Sequence, residues 1–136
     1  MSSQAELNKQ LVMRFFAAIE SGDFTVFDEI VAKDYDDHLP GQGRGRDLLR
    51  TYFLGLRQAF PDIRFPVHAM VAEGDRVAVM NSINGTHSGD YTALGLKATG
   101  NRIDAMAFQL YRIEAGQLAE HWEVADFATI MRQLKG

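Results

Sequence analysis

The chain has 136 residues, no cysteine and a formal net charge of −4 at pH 7. The length predicts one domain, residues 1–136, with a sizeable core. The acidic balance gives no reason to expect nucleic acid or an anionic membrane as a partner. Without cysteine the chain has no disulfide, thiolate metal site or cysteine nucleophile. We find no apolar run of the roughly 18 residues that a membrane helix needs and no signal peptide, so we expect a cytoplasmic location.

The N-terminal segment has the spacing of an amphipathic helix. Ser3-Gln4-Ala5-Glu6 is a capping box, in which the serine and glutamate side chains satisfy backbone donors at a helix start. Apolar residues from Leu7 to Ile19 then recur every three or four positions. Gly22 predicts the end of this helix, because glycine adopts the left-handed conformation without strain.

Two more helical segments are predicted before the pattern changes. Asp23 is expected to cap a short helix whose apolar positions run from Phe24 to Val31. The segment from Asp34 to Gly45 is rich in glycine and aspartate and predicts a loop. A third helix carries apolar residues from Leu48 to Leu56 and ends before Pro61.

After Pro61 the apolar period changes from 3.6 to 2, which predicts strands. The first strand, 63–71, contains Pro66 and should be an edge strand or carry a bulge, because proline cannot donate to a ladder. Further strands are predicted at 76–87, 103–113 and 117–124, with a glycine-rich loop or short strand at 88–100. Helices followed by a meander of strands predict an α+β fold with an antiparallel sheet curled around the helices.

The densest group of titratable residues is the run from Glu120 to Asp126, which also holds the single tryptophan. Strand alternation puts His121 and Glu123 on one face of the sheet and Glu120 and Trp122 on the other. If the first face lines a cavity, that cavity contains an acid/base group. Glu123 on the outer face would be an ordinary surface acid. Asp126 is expected to cap the final helix.

Histidines elsewhere in the chain are weaker candidates for a site. His38 lies beside Tyr35 in the predicted loop, where it either reaches a ligand or belongs to a solvated turn. His87 and Asn81 have the same parity on the second strand and should share a face. A histidine on a half-buried strand is more often structural than a ligand. The four histidines lack the spacing of a His-Glu-x-x-His motif, so we expect no metal site.

Several segments together resemble a known family. The stretch 15–23 looks like the first helix and turn of the nuclear-transport-factor-2-like superfamily. The turn at 112–118 resembles the last hairpin of its SnoaL-like polyketide cyclase family. Four further segments resemble that family in the same order: His38-Leu39-Pro40-Gly41, Ala59-Phe60-Pro61-Asp62, Gly85-Thr86-His87-Ser88-Gly89 and Glu120-His121-Trp122-Glu123. The resemblance implies a cone-shaped fold, with N-terminal helices packed on a curved antiparallel sheet around a deep pocket.

The resemblance also implies a reaction. Characterised members close rings by intramolecular aldol condensation without a metal or organic cofactor, which needs a base and an acid. An aspartate stands in the family at the position of Glu123, and a histidine at the position of Gln109. Glutamine donates hydrogen bonds but does not transfer a proton at neutral pH. We therefore predict Glu123, His121 and Gln109 as catalytic residues.

The predicted substrate is a hydrophobic, carbonyl-bearing small molecule. The residues expected to bind it are His38, Tyr35, Asn81, His87, Trp122 and Phe53. The resemblance further implies a homodimer, because such sheets usually pack face to face. Two alternatives stay open: an isomerase or epoxide-hydrolase reaction on the same fold, and a non-catalytic homodimeric module that binds a metabolite.

Overall fold

A computed structural model describes residues 2–136 of the chain. The helices and strands follow in the order α1 (Gln4–Ser21), α2 (Phe27–Ile30), β1 (Val31–Asp37), α3 (Arg46–Ala59), β2 (Val67–Glu73), β3 (Arg76–Thr86), β4 (Arg102–Glu114), β5 (Gln117–Ala125) and α4 (Phe127–Lys135). Short 3-10 turns at Phe24–Val26 and Thr92–Leu94 complete the secondary structure of the described residues. Helices followed by strands give the α+β fold that the sequence predicts.

The ends of the first and last helices follow the predicted capping. The Ser3 side chain accepts a hydrogen bond from the Glu6 amide at the start of α1. Gly22 ends the helix in the left-handed conformation, with φ of 81°. At α4 the Asp126 side chain accepts from the Thr129 amide at 3.1 Å, so Asp126 is an N-cap.

The segment after Gly22 differs from the prediction in two ways. The second helix is a 3-10 turn followed by the single turn α2, and Val31 begins a strand. Part of the predicted loop 34–45 is the strand β1, which pairs with β5. Asp34, Asp36 and Asp37 disfavour strands locally. The pairing with a strand some 85 residues later overrides that preference.

The sheet is curved, open and mixed. Its strand order is β1-β5-β4-β3-β2, and the four later strands form the predicted antiparallel meander. The strand β1 pairs with β5 in parallel, so the expectation of a purely antiparallel sheet is wrong at this edge. A parallel pair needs a long crossover connection, and most of the chain, from α3 to β4, lies between β1 and β5.

The first predicted strand, 63–71, begins later than predicted, because β2 starts at Val67 and Pro66 lies just before it. As predicted, β2 is an edge of the sheet and carries a bulge, since its register with β3 shifts between Val67 and Ala69. The shift reverses the faces that follow, because side chains alternate with a period of two. Met70 packs against the core and Val71 is 64% exposed, although the alternation predicted the opposite.

The core lies between the inner face of the sheet and the helices. Its fully buried members include Phe15 from α1, Phe27 from α2 and Tyr111 from β4, whose rings contact one another in the order Phe27, Phe15, Tyr111. No helix in the described part of the chain is long and apolar enough to cross a membrane. The arrangement leaves a space between the sheet and the helices in which the candidate site lies.

Candidate active site

A cavity of about 120 Å³ lies between the inner face of the sheet and the helices α1, α3 and α4. Its wall is mostly apolar, with aromatic rings from several elements. The lining residues are Phe15, Phe16, Ile19, Tyr35, Asp37, Leu39, Leu49, Tyr52, Phe53, Leu56, Phe60, Phe65, Ile83, Tyr91, Leu94, Ile103, Gln109, Tyr111, His121, Glu123, Phe127, Ile130, Met131 and Leu134. Leu94, Phe127 and Met131 are exposed, so the mouth lies between the loop 87–101 and α4.

The polar side chains of the cavity come from three adjacent strands. The parallel pairing of β1 with β5 sets Asp37 beside His121. The antiparallel pairing of β4 with β5 sets Gln109 directly opposite Glu123. Because all four side chains point to the inner face, they form one cluster in the apolar wall. We call Asp37, Gln109, His121 and Glu123 the polar cluster.

Hydrogen bonds fix the orientation of the amides in this cluster. The Ser82 carbonyl accepts from Asn81 Nδ2 at 3.0 Å, which turns Asn81 Oδ1 toward Gln109. Asn81 Oδ1 then accepts from Gln109 Nε2 at 2.8 Å. Gln109 Oε1 therefore faces His121 and Tyr111, and accepts from the Tyr111 hydroxyl at 2.7 Å. An amide oxygen only accepts, so the His121 nitrogen that faces it must carry a hydrogen.

Both ring nitrogens of His121 face acceptors. Nε2 donates to Gln109 Oε1 at 2.8 Å, and Nδ1 lies 3.0 Å from Asp37 Oδ1. The same Asp37 oxygen accepts from the Leu39 amide at 3.0 Å. These contacts hold the His121 ring in one orientation between Gln109 and Asp37.

Two tyrosine rings stack on His121. The Tyr111 ring lies 4.6 Å from the His121 ring between centroids, and the Tyr35 ring lies 6.4 Å away. His121 is only 4% exposed, so its position is set by these rings and by its two hydrogen-bond partners.

Glu123 lies in an environment that makes its carboxylate a stronger base than an exposed glutamate. Burial raises the pKa of its carboxyl, and the Asp37 charge raises it further, while His121 acts in the opposite direction. Glu123 Oε1 lies 3.7 Å from His121 Nε2, beyond direct hydrogen-bond distance. The carboxyl is thus available to a ligand in the cavity.

Tyrosines line the cavity on several sides, and burial keeps them protonated. Burial raises the pKa of Tyr35 and Tyr111 well above the ordinary value, and the nearby carboxylates act in the same direction. Burial also raises the pKa of Tyr52 on α3 and of Tyr91 in the loop. Tyr91 is the less buried of the two. The site therefore surrounds the Glu123 carboxyl with neutral phenols.

The structure brings five of the nine predicted site residues together in the cavity. They are Glu123, His121, Gln109, Tyr35 and Phe53. Alternation along β5 holds as predicted, with His121 inside and Trp122 outside. The Gln109 oxygen and one of its two amide hydrogens are engaged within the protein, so at most one amide hydrogen remains for a ligand carbonyl.

Asn81 and His87 share the inner face of β3, as their parity predicts, but neither lines the cavity. Asn81 is fully buried behind Gln109 and orients its amide. His87 is also fully buried, stacks on Phe60 at 5.1 Å and pairs with Thr99 Oγ1 at 3.0 Å. These two residues therefore act on the shape of the site from behind its wall.

His38 and Trp122 lie on the outer face of the sheet, away from the mouth of the cavity. Their rings stack with centroids 4.9 Å apart, and His38 Nε2 lies 2.7 Å from Glu120 and 3.6 Å from Asp36. These contacts place both residues in a surface network that does not touch the cavity.

Asp36, His38 and Glu120 form, within residues 2–136, the one group spaced closely enough to hold a metal ion. Each carboxylate already has a cationic partner. Arg44 lies 3.0 Å from Asp36 and Arg112 lies 2.8 Å from Glu120, and the Arg112 hydrogen bond lowers the pKa of Glu120. Ion pairing therefore accounts for this cluster without a metal.

Asp37 and Tyr111 are site residues that the sequence did not predict. Asp37 was assigned to a loop, in which side chains do not alternate between two faces. If β1 had been recognised, alternation would have placed Asp37 and Tyr35 on the inner face and Asp36 on the outer one. Tyr111 lies two residues after Gln109 on β4, so alternation along this strand predicts that both side chains lie on the inner face.

Comparisons with known proteins agree with this architecture. A family model of the SnoaL-like polyketide cyclases matches residues 10–134. No curated protein sequence matches the chain. Among solved structures, TsrD from Streptomyces laurentii is 26% identical with a TM-score of 0.87, and the match covers 98% of each chain.

Two further solved structures have described activities. IdmH from Streptomyces antibioticus, a candidate polyketide cyclase, is 27% identical with a TM-score of 0.83, and the match covers 95% of this chain and 99% of IdmH. AclR from Streptomyces galilaeus, a candidate hydroxylase, is 25% identical with a TM-score of 0.81, covering 94% of this chain and 95% of AclR. The family match over nearly the whole chain and the shared fold show that this protein belongs to the SnoaL-like polyketide cyclase family.

Proposed function

We propose that the protein is an acid/base enzyme acting on a hydrophobic, carbonyl-bearing small molecule, in a reaction of the aldol cyclase type. The observation that carries the proposal is the Glu123 carboxyl, which lies in an apolar cavity and has a pKa raised by burial. A base of this kind is matched to proton abstraction near neutral pH. Proton transfer of this kind needs no cofactor, only a base and a donor to the carbonyl oxygen.

In the proposed first step, Glu123 removes a proton from the carbon next to the substrate carbonyl. The C–H bond breaks, its electron pair moves toward the carbonyl oxygen, and Glu123 becomes a carboxylic acid. This transfer moves one negative charge from Glu123 to the substrate oxygen and leaves the net charge of the cavity unchanged. His121 Nε2 lies 3.7 Å from Glu123 Oε1 and keeps a polar N–H close to this charge. The enolate then attacks a second carbonyl of the same molecule, and the proton held by Glu123 returns to the new alkoxide.

The size of the cavity restricts the substrate. Its volume of about 120 Å³ is below the roughly 300–1,000 Å³ typical of pockets for drug-sized ligands. A molecule of one or two rings is therefore the proposed substrate, unless the loop with Tyr91 and Leu94 moves. Relatives with this fold are described both as a cyclase and as a hydroxylase, so the fold does not choose the reaction.

The test follows the exchange of α-protons for deuterium by NMR, with cyclohexanone and 2-tetralone as one-ring and two-ring ketones. We expect the protein to accelerate exchange, and Glu123→Gln to reduce the acceleration by at least about 100-fold, since the amide cannot accept the proton. The matched control is Glu120→Gln, a change on the outer face of the same strand. Equal exchange by the wild type and Glu123→Gln would contradict the assignment of the base.

The rival function is a non-catalytic module that holds a metabolite in the same cavity. The network around His121 and Gln109 favours it in one respect, because these side chains are already engaged within the protein. In that case the ketones would bind, and the wild type would exchange no faster than buffer. Saturable binding of 2-tetralone without exchange would therefore support the rival.

A further inference from the structure

The Tyr35 hydroxyl is a fully buried polar group in the wall of the cavity that has no hydrogen-bond partner within residues 2–136. The residue is 1% exposed and lines the cavity, yet its oxygen has no hydrogen-bond partner among the described residues. A buried hydroxyl without a partner is unfavourable, and folded proteins rarely keep one without a reason. The missing partner would have to come from something that enters the cavity.

The neighbouring polar groups show that the free hydroxyl is not part of a general lack of partners. The Tyr111 hydroxyl donates to Gln109 Oε1 at 2.7 Å, and each ring nitrogen of His121 has a partner within 3.0 Å. Tyr35 is held nearby through its ring, which stacks on His121. The fold thus fixes the position of Tyr35 and leaves its hydroxyl without a hydrogen-bond partner in the described part of the chain.

The charges around Tyr35 determine what this hydroxyl can bind. Burial raises the pKa of Tyr35, and Tyr111, Asp37 and Glu123 act in the same direction, so the phenol keeps its proton. The Asp37 carboxyl lies near enough to the hydroxyl to raise this pKa, but no bond between them meets the distance and angle of a hydrogen bond. A neutral phenol in an apolar wall donates to an oxygen acceptor. The acceptor that gains most is one on which negative charge develops, because hydrogen bonds to charged groups are the stronger ones.

We propose that Tyr35 is a catalytic residue whose hydroxyl donates to the substrate carbonyl oxygen and stabilises it as an enolate. The substrate class is then a hydrophobic ketone whose oxygen points to β1 while its α-carbon faces Glu123. This inference rests on the proposed function and extends it. When Glu123 takes the α-proton, the electron pair of the C–H bond moves onto the oxygen, and the Tyr35 hydrogen bond shortens without transfer of its proton.

Two measurements test the role of Tyr35. The first is α-proton exchange of 2-tetralone, in which Tyr35→Phe is expected to lower kcat by about 10- to 100-fold. The second uses Glu123→Gln, which mimics the protonated base, with 4-nitrophenolate as an enolate analogue and nitrobenzene as a probe without the charged oxygen. In the Glu123→Gln protein we expect Tyr35→Phe to weaken the binding of 4-nitrophenolate by about 10- to 100-fold. The binding of nitrobenzene should weaken by less than about threefold.

The control for a structural role is Tyr111→Phe, which removes a hydroxyl that is paired within the protein. We expect Tyr111→Phe to lower Tm and Tyr35→Phe to leave it unchanged or raise it, since no internal hydrogen bond is lost. The inference would be overturned if Tyr35→Phe exchanged protons as fast as the wild type, or if it weakened the binding of both probes equally. It would also be overturned if Tyr35→Phe lowered Tm as much as Tyr111→Phe does, or if Glu123→Gln did not bind 4-nitrophenolate.

The design separates this inference from the proposed reaction. A wild-type protein that exchanges protons through Glu123, but equally fast without the Tyr35 hydroxyl, would keep the reaction and remove Tyr35 from it. A protein that does not exchange protons, but prefers 4-nitrophenolate in a Tyr35-dependent way, would contradict the reaction and support the hydroxyl as the donor to a ligand oxygen.

Discussion

His121 shows how much of the site is set by contacts of individual atoms. The Ser82 carbonyl orients Asn81, Asn81 orients Gln109, and the Gln109 oxygen accepts from His121 Nε2. Asp37 lies 3.0 Å from the other ring nitrogen. A chain of ordinary hydrogen bonds thus determines which nitrogen of His121 donates toward Gln109, because an amide oxygen only accepts.

Glu123 should make the stability of the protein depend on pH. Its folded pKa is raised above the ordinary 4.5, so the folded chain holds this proton more tightly than the unfolded chain. The contribution of the protonated form is fully present below pH 4.5 and is lost as the pH rises through the folded pKa. We expect Glu123→Gln to stabilise the protein at pH 7, because the amide removes a buried charge from the cavity, and to have little effect at pH 4.

Urea unfolding of the wild type and Glu123→Gln at both pH values measures this difference. The control is Glu120→Gln on the outer face, where Arg112 lowers the pKa of the carboxyl. That substitution should destabilise the protein at pH 7, with the opposite sign. If Glu123→Gln were no more stable than the wild type at pH 7, the carboxyl would not carry the penalty of burial.

At the scale of elements, the loop 87–101 is fastened to α3 at a single close approach. The Gly89 amide donates to the Ala59 carbonyl at 3.1 Å, and a Cβ at Gly89 would overlap the Gln58 carbonyl oxygen. Only glycine fits there, because the atom in the way is backbone and cannot rotate aside. The contact holds Tyr91 and Leu94 over the mouth of the cavity.

Gly89→Ala should therefore displace this loop from α3 and lower stability by about 1–3 kcal/mol. The matched control is Gly55→Ala in the middle of α3, where an added Cβ meets nothing within 4 Å. That change should stabilise the helix by up to about 1 kcal/mol. Thermal unfolding of both proteins measures the contrast. A Gly89→Ala protein as stable as the wild type would show that the loop moves away from α3 at little cost.

At the scale of the whole molecule, the outer face of the sheet has an apolar surface that the cavity does not explain. Val71, Val124 and Phe108 are exposed by 58% or more, on three neighbouring parts of the sheet. Phe108 and Val124 are directly opposite each other in the β4–β5 register. Large exposed apolar patches mark interaction sites on soluble proteins. We propose that a second copy of the chain covers this face.

Sedimentation velocity tests the proposed dimer. We expect the wild type to sediment as a dimer at micromolar concentration, and Phe108→Glu to shift it toward the monomer, since a charge in an apolar interface must be desolvated. The control is Leu54→Glu on α3, a residue exposed by 54% on a different surface. A wild type that sediments as a monomer, or an equal shift in both variants, would contradict the proposed interface.

Local signals account for most of the elements. The capping box at Ser3, the stop at Gly22 and the cap at Asp126 each involve atoms within a few residues, so they are readable from the sequence. The alternation in β3, β4 and β5 likewise needed only the period of the apolar residues. The sequence did not predict that Met70 lies on the inner face of β2, because the bulge that reverses the faces depends on the pairing with β3.

The sequence by itself determined the α+β class, the family resemblance and the pair His121 and Glu123 on one face. Tertiary structure alone decided that β1 is a strand, that Asp37 reaches His121 and that His38 turns to the outer face. The physical reason is distance along the chain. Periodicity and capping act over a few residues, whereas the parallel pairing of β1 with β5 joins segments about 85 residues apart and is stable only once the whole sheet has formed.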